Sequence, residues 1–202
     1  KKGALIVIEG IDGAGKSTQA RLLLKNLGSE GYPAVYFCEP TKGKWGRKIK
    51  KLAKRVDSLS PEEELGLFIK DREENVKKNL SPALSRKKVV ILDRYYFSTI
   101  AYQGAKGISP ARIRKLHQKF AVKPDLVFIL DLDPAEGLKR IQARKKKDIL
   151  FERKYYLARV RKIFQSFRGR TFVQVNAARS RIEVHRDITA KVQAFLQARI
   201  RR

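Results

Sequence analysis

The sequence predicts an α/β fold, a five-stranded parallel sheet flanked by helices in three layers, and three observations carry that prediction. Apolar runs of strand length alternate with amphipathic stretches of helix length, the rhythm of βαβ units. Several of the runs are apolar at every position, as expected of strands covered on both faces. A glycine-rich turn joins the first strand directly to the first helix.

Ala4–Glu9 reads as the buried first strand, and Lys16–Leu27 as a helix with Ala20, Leu23, Leu24 and Leu27 on its apolar side. Ala34–Phe37 is a short second strand and Val89–Leu92 a third. Leu126–Leu130 is the fourth and Phe172–Val175 the fifth. The last helix is expected over about Arg181–Ile200, with Ile188, Val192, Phe195 and Leu196 facing inward. Helix starts are marked chemically. Ser60-Pro61-Glu62-Glu63 offers an N-cap, a proline in the first turn and a capping-box glutamate. Asp133-Pro134-Ala135-Glu136 repeats the arrangement, and Ser109-Pro110 is a weaker version.

No repeat, low-complexity tract or Gly/Ser/Pro-rich linker divides the 202 residues, so residues 1–202 are expected to form one domain with its own core. The apolar runs fall far short of the ~20 residues a membrane helix needs, and no secretory h-region opens the chain. The single cysteine, Cys38, excludes an intramolecular disulfide framework and fits a reducing cytoplasm. A net charge of +27 creates a field that attracts nucleotides, nucleic acids and anionic surfaces alike. The cations cluster at Lys42–Arg55, Arg140–Lys147 and Arg199–Arg202, but no interleaved aromatics accompany them for stacking bases. Nucleic acid is therefore not expected as a specific partner.

Gly10-Ile11-Asp12-Gly13-Ala14-Gly15-Lys16-Ser17 satisfies every fixed position of G-x-x-x-x-G-K-[ST], with Thr18 following. Residue frequencies alone produce that pattern in about 1% of chains this long, and here it also has a strand before it and a helix after it. The glycines let backbone N–H groups turn toward phosphate oxygens at a helix N-terminus. Lys16 is expected on the β- and γ-phosphates, and the Ser17 hydroxyl on Mg²⁺. The segment thus predicts a P-loop NTPase fold that binds a purine nucleoside triphosphate.

A second constellation, Asp93-Arg94-Tyr95-Tyr96-Phe97-Ser98-Thr99-Ile100-Ala101-Tyr102-Gln103-Gly104, starts where the third strand ends. Open α/β sheets bind ligands along that edge. Arg94 can fork onto a phosphate, and Asp93 can orient Lys16, the metal shell or the arginine. The hydroxyls and the amide that follow suit a sugar and a base edge.

These two segments, with Leu67-Phe68-Ile69-Lys70-Asp71-Arg72, resemble the thymidylate kinase family. The resemblance extends through Pro124–Asp131 and the basic region Arg140–Glu152 to Val160-Arg161. It implies transfer of the ATP γ-phosphoryl group to dTMP with Mg²⁺, giving dTDP and ADP for DNA precursor synthesis, in an enzyme that is usually homodimeric. It implies that Arg94 holds the acceptor phosphate, with Asp93 and Glu39 beside the acceptor. Phe68 would stack on thymine, and Arg72 would reach a base carbonyl. Ser98, Thr99 and Gln103 would line the nucleoside, and Tyr102 would exclude a 2′-hydroxyl. Asp12 corresponds to the family's loop acid near the metal and the acceptor, with Asp93 and Glu152 as further metal candidates. The residues alone also allow Phe68 and Tyr102 to be packing residues, and Arg72 to pair with Asp71 or Glu73.

In one subgroup of this family an arginine follows the loop acid; Gly13 stands there, so the resemblance is to the subgroup that brings arginines from a short mobile lid. Arg140 and Arg144, four residues apart on one helix face, are the candidates in a lid of about 140–152. The chain departs from the family's Asp-Arg-Phe-Glu with Lys147-Asp148-Ile149-Leu150-Phe151-Glu152. It also has Cys38 where many relatives have arginine before Glu-Pro, with Lys42 or Arg47 as substitute charges. The rival readings are a kinase of another pyrimidine monophosphate or a deoxynucleoside, and a nucleic-acid-associated P-loop ATPase.

Overall fold

A computed structural model of the chain describes residues 3–53, 59–141 and 148–200, and side chains throughout these except at 148–152 and 200. The sheet consists of β1 (Ala4–Gly10), β2 (Ala34–Cys38), β3 (Val89–Asp93), β4 (Leu126–Asp131) and β5 (Phe172–Asn176). All pairings are parallel, in the order β2-β3-β1-β4-β5. Each strand runs one residue past its expected end. The ladder continues through Cys38↔Asp93, Gly10↔Leu130 and Asp131↔Asn176, beyond most of the apolar side chains. Apolar patterning reports burial, whereas backbone pairing ends the strand, and the extra residues form the sheet's carboxyl edge.

The helices are α1 (Lys16–Ser29), α2 (Lys44–Leu52), α3 (Pro61–Asn75), α4 (Ser81–Ser85) and α5 (Tyr96–Ala105). They continue with α6 (Pro110–Gln118), α7 (Pro134–Ile141), α8 (Asp148–Ser166) and α9 (Arg181–Ile200). A π-helical turn, Val76–Leu80, carries α3 into α4. On one side of the sheet α1 packs with α9, and on the other α5 packs with α8. The strands between them are sealed on both faces: Val7, Ile8, Val90, Ile91, Leu92, Val127 and Phe128 have no exposed surface. Each such side chain contributes ~1.5–3 kcal/mol of burial, so the sheet is a rigid platform for whatever stands on its edge.

The local signals act as their chemistry requires. Ser60 Oγ accepts from the Glu63 amide, and Glu63 reaches back to the Ser60 amide at 2.8 Å, closing a capping box on α3. Asp133 Oδ1 accepts from the Ala135 amide at 2.8 Å, but Glu136 pairs with Lys139 instead of completing a box. Ala20, Leu23 and Leu27 of α1 and Ile188, Val192 and Leu196 of α9 are buried as expected, and Leu24 and Phe195 pack at the core margin. Among the described residues no helix is long and apolar enough to cross a membrane.

Candidate active site

The phosphate loop is built from β1 outward. Gly13 and Gly15 take φ of 84° and 91°, a region closed to most side chains. Gly15 is the N-cap of α1 and supplies no side-chain cap, so the first-turn amides of Lys16, Ser17 and Thr18 are left for an external anion. A Cβ on Gly13 would stand 2.2 Å from the Gly137 carbonyl oxygen, and one on Gly137 would stand 2.6 Å from that of Asp12. The loop and α7 therefore touch backbone to backbone, with no room for a side chain at either position.

Lys16 is buried and donates from Nζ to the Ile11 carbonyl at 2.7 Å. Burial, followed by the nearby Arg94 charge, pushes its ammonium down to about 7. Ser17 donates to Asp93 Oδ2, which also accepts from Tyr36 at 3.2 Å. Asp93 Oδ1 is buried and has no hydrogen-bond partner among the described residues. A hydroxyl, a carboxylate and an orphaned carboxylate oxygen at the loop mouth are the donor set Mg²⁺ takes when phosphates and water complete its shell. The residues present fit that ion.

Arg94 follows Asp93 in left-handed backbone, φ 68°, a conformation that costs ~1–3 kcal/mol for a residue with a side chain. Glu9 over-determines this turn: it accepts from the Tyr95 amide at 2.7 Å, the Ser98 amide at 3.1 Å and the Ser98 hydroxyl at 2.5 Å. Burial raises the Glu9 carboxyl to about 7 against those donors. So aimed, Arg94 pairs with Asp12 Oδ1 across the loop, and its guanidinium lies 5.4 Å from the centre of the Tyr102 ring. Arg153 of α8 approaches Asp12 Oδ2 at 3.7 Å. Burial alone would raise the Asp12 carboxyl, but Arg94, Lys16 and Arg153 together hold it below the usual carboxylate range.

A second polar cluster lies behind α3 and α5. Arg72, 1% exposed, donates from Nε to Glu39 at 2.7 Å and from Nη1 to Thr99 at 3.0 Å, with His117 Nε2 2.6 Å from Nη1. Neither Asp71 nor Glu73 is its partner: Asp71 accepts from the Thr41 amide and hydroxyl instead. Asn75 holds the other Glu39 oxygen at 2.9 Å, and the Glu39–Pro40 peptide is cis. Gln103 donates to Glu64 at 2.9 Å and leaves its Oε1 buried without a partner among the described residues. Phe68 is half-buried and lies outside the core cluster, whereas Tyr102 packs against that cluster beside Tyr156 and Phe164.

The structure thus brings Gly10–Thr18, Asp93 and Arg94 together, and Glu39, Arg72 and Thr99 into an adjoining cluster. Arg140 donates to the Ala177 carbonyl at 3.1 Å and helps line a cavity of about 290 Å³ with Gly13, Gly15, Thr18, Arg179 and Arg181. Arg144 and Lys145–Lys147 lie outside the described residues, as do the side chains of Asp148 and Glu152. Arg47 caps the Lys42 carbonyl at 2.8 Å, and no described arginine takes over directly at Cys38. Sequence reasoning passed over Glu9, His117 and Arg153. For Arg153 a signal existed: with Leu157, Val160 and Phe164, all buried, it shares one helical face at i, i+4, i+7 and i+11.

A phosphate loop opening a parallel sheet of this order, faced by a strained arginine on the next strand, defines a P-loop nucleotide kinase. The family described as thymidylate kinase matches residues 8–188. A probable thymidylate kinase of Archaeoglobus fulgidus is 44% identical over 95% of this chain and 96% of its own length. Thymidylate kinases of Brachyspira hyodysenteriae and Akkermansia muciniphila are 48% and 43% identical, over 82% and 98% of this chain and 81% and 94% of their own. The chain belongs to the thymidylate kinase family.

Proposed function

We infer that the chain phosphorylates dTMP with ATP, giving dTDP and ADP, and that the residues just described carry the reaction. The observation that carries the assignment of roles is the pair of cations, Lys16 and Arg94, whose charges converge on Asp12 at the loop mouth. One suits the donor phosphates and the other the acceptor. In the reaction an oxygen of the dTMP phosphate attacks the γ-phosphorus in line, a new P–O bond forms, and the bond to the β–γ bridging oxygen breaks with its electron pair leaving on ADP. The acceptor phosphate is already an anion, so the protein's work is positioning and charge stabilisation.

The loop amides of Gly13–Thr18 and Lys16 hold the β- and γ-phosphates. Arg94 holds the acceptor phosphate, and Asp12 keeps Arg94 and Arg153 in place until phosphates arrive. Ser17 and Asp93 would hold Mg²⁺, which would supply charge neutralisation for the donor phosphates. Phe68 offers a ring face to thymine, Arg72 a donor to a base carbonyl, and Gln103 Oε1 an acceptor for a base N–H. Thr99 and Glu39 fix Arg72 from behind, Ser98 ties Arg94 to Glu9, and Tyr102 fills the floor beside Arg94, where a 2′-hydroxyl would have to fit. Residues 1–202 are proposed to act as one domain; the lid expected over about 140–152 falls largely outside the described residues.

A steady-state panel of dTMP, dUMP, CMP, UMP and thymidine with Mg-ATP tests the reading. The expected result is kcat/KM highest for dTMP, with dTDP as product. Equal turnover of CMP, or ATP hydrolysis without a phosphorylated nucleotide, would overturn it.

A further inference from the structure

His117 lies on α6, away from the phosphates, yet its imidazole is built into the acceptor side of the site. It is 1% exposed, and its two ring nitrogens face groups of fixed chemistry: Nη1 of Arg72 at 2.6 Å and the Ile113 carbonyl oxygen at 2.8 Å. An arginine only donates, so Nε2 must present its lone pair. A carbonyl only accepts, so Nδ1 must carry the proton. Both neighbours therefore demand the same neutral tautomer. The ring cannot turn away, because Tyr96 stacks on it at 5.7 Å and Phe120 packs at 5.6 Å. A charged imidazolium would set two cations face to face in a buried place, and burial and then Arg72 push the His117 pKa down to about 3.

The consequence falls on Arg72. Glu39 holds Nε, Thr99 and His117 hold Nη1, and the guanidinium lies 5.5 Å from the centre of the Tyr95 ring. Among the described residues Nη2 makes no hydrogen bond. We propose that His117 is a positioning residue for the acceptor base: a permanently neutral acceptor that fixes the plane of Arg72 so that Nη2 is left to donate to a carbonyl of the pyrimidine. This rests on the reading of Arg72 given above. Without the imidazole, Nη1 keeps only Thr99, and the planar guanidinium can tilt about its Cδ–Nε bond.

The test compares His117→Phe, which keeps a flat ring but no acceptor, with His117→Gln, whose amide oxygen can stand near the Nε2 position. His117→Phe is expected to raise KM for dTMP about tenfold, the loss typical of one hydrogen bond to a charged group, while KM for ATP changes less than twofold. Its preference for dTMP over dCMP, in which an amino group replaces the 4-carbonyl, should shrink by a similar factor, and His117→Gln should recover most of both. A simple packing defect would move both substrates together. Unchanged KM for dTMP, or equal loss for the two substrates, overturns the proposal. If wild-type enzyme fails to use dTMP at all, the functional reading fails instead. Should His117→Phe not fold, long-range ¹H–¹⁵N correlation on the wild-type protein decides: a protonated Nδ1 and a bare Nε2 from pH 6 to 9 support the proposal, and a protonated Nε2 or a titrating ring refutes it.

Discussion

Arg94 and Asp12 form an ion pair across the mouth of the phosphate loop, the place proposed above for the acceptor and donor phosphates. The carboxylate stands among Arg94, Arg153 and Lys16, so a negative charge holds the cations that two phosphates would otherwise hold. Arg94→Ala should lose about 2 kcal/mol or more of transition-state stabilisation, chiefly as poorer use of dTMP. Asp12→Asn should lose less, since Arg94 remains. Steady-state kinetics with dTMP varied at saturating ATP checks both, and unchanged dTMP kinetics in Arg94→Ala would refute its acceptor role.

Lys16 makes ATP binding a proton-uptake reaction. Its ammonium is pushed down to about 7 in the free protein, and the β- and γ-phosphates must raise it again. Protonation is then favoured by the nucleotide between about pH 7 and the ordinary lysine value of 10.5, and affinity should weaken as pH climbs through that window. Calorimetric titration at pH 8.5 in buffers of different ionisation enthalpy should show uptake of close to one proton. Lys16→Arg, which stays charged, should abolish it.

Arg153 and Arg140 should separate kinetically. Arg153 faces Asp12 at the loop mouth, and if it acts on the transferring group, Arg153→Ala should lower kcat more than it raises KM. Arg140 sits at the Ala177 carbonyl on the far wall of the loop, so Arg140→Ala should act mainly through KM for ATP. Equal effects of the two substitutions on kcat would remove the distinction.

Glu9 carries a pH-dependent penalty in the fold. Its carboxyl is raised from 4.5 to about 7 by burial, so the native state binds more protons than the unfolded state between those values. Its contribution is complete below pH 4.5 and is lost as pH rises through 7. Glu9→Gln stays neutral. Its stability relative to wild type should therefore improve between pH 4.5 and 8 by on the order of 3 kcal/mol, read from urea unfolding at both pH values.

The fold was legible because the information is local: five apolar runs, a capping box and the glycine loop each mark an element by composition alone. The strand ends were not, since Cys38, Asp93 and Asn176 carry no apolar signal although the ladder includes them. Within the site, motif residues such as Lys16 and Arg94 could be named from their neighbours in sequence. The groups that aim them could not, because Glu9 acts on residues more than eighty positions away and His117 on one 45 positions away. Cys38 and α2 show the same limit, as a missing arginine in a motif says nothing of where another charge lies in space.

The contact between Gly13 and Gly137 bears on how such enzymes can diverge. An arginine at position 13 would collide with the α7 backbone, and relieving the collision means moving that helix from its seat on the loop. Positions 13 and 137 are thus epistatic: a lineage that packs the loop against this glycine pair can enlarge neither residue alone without displacing α7.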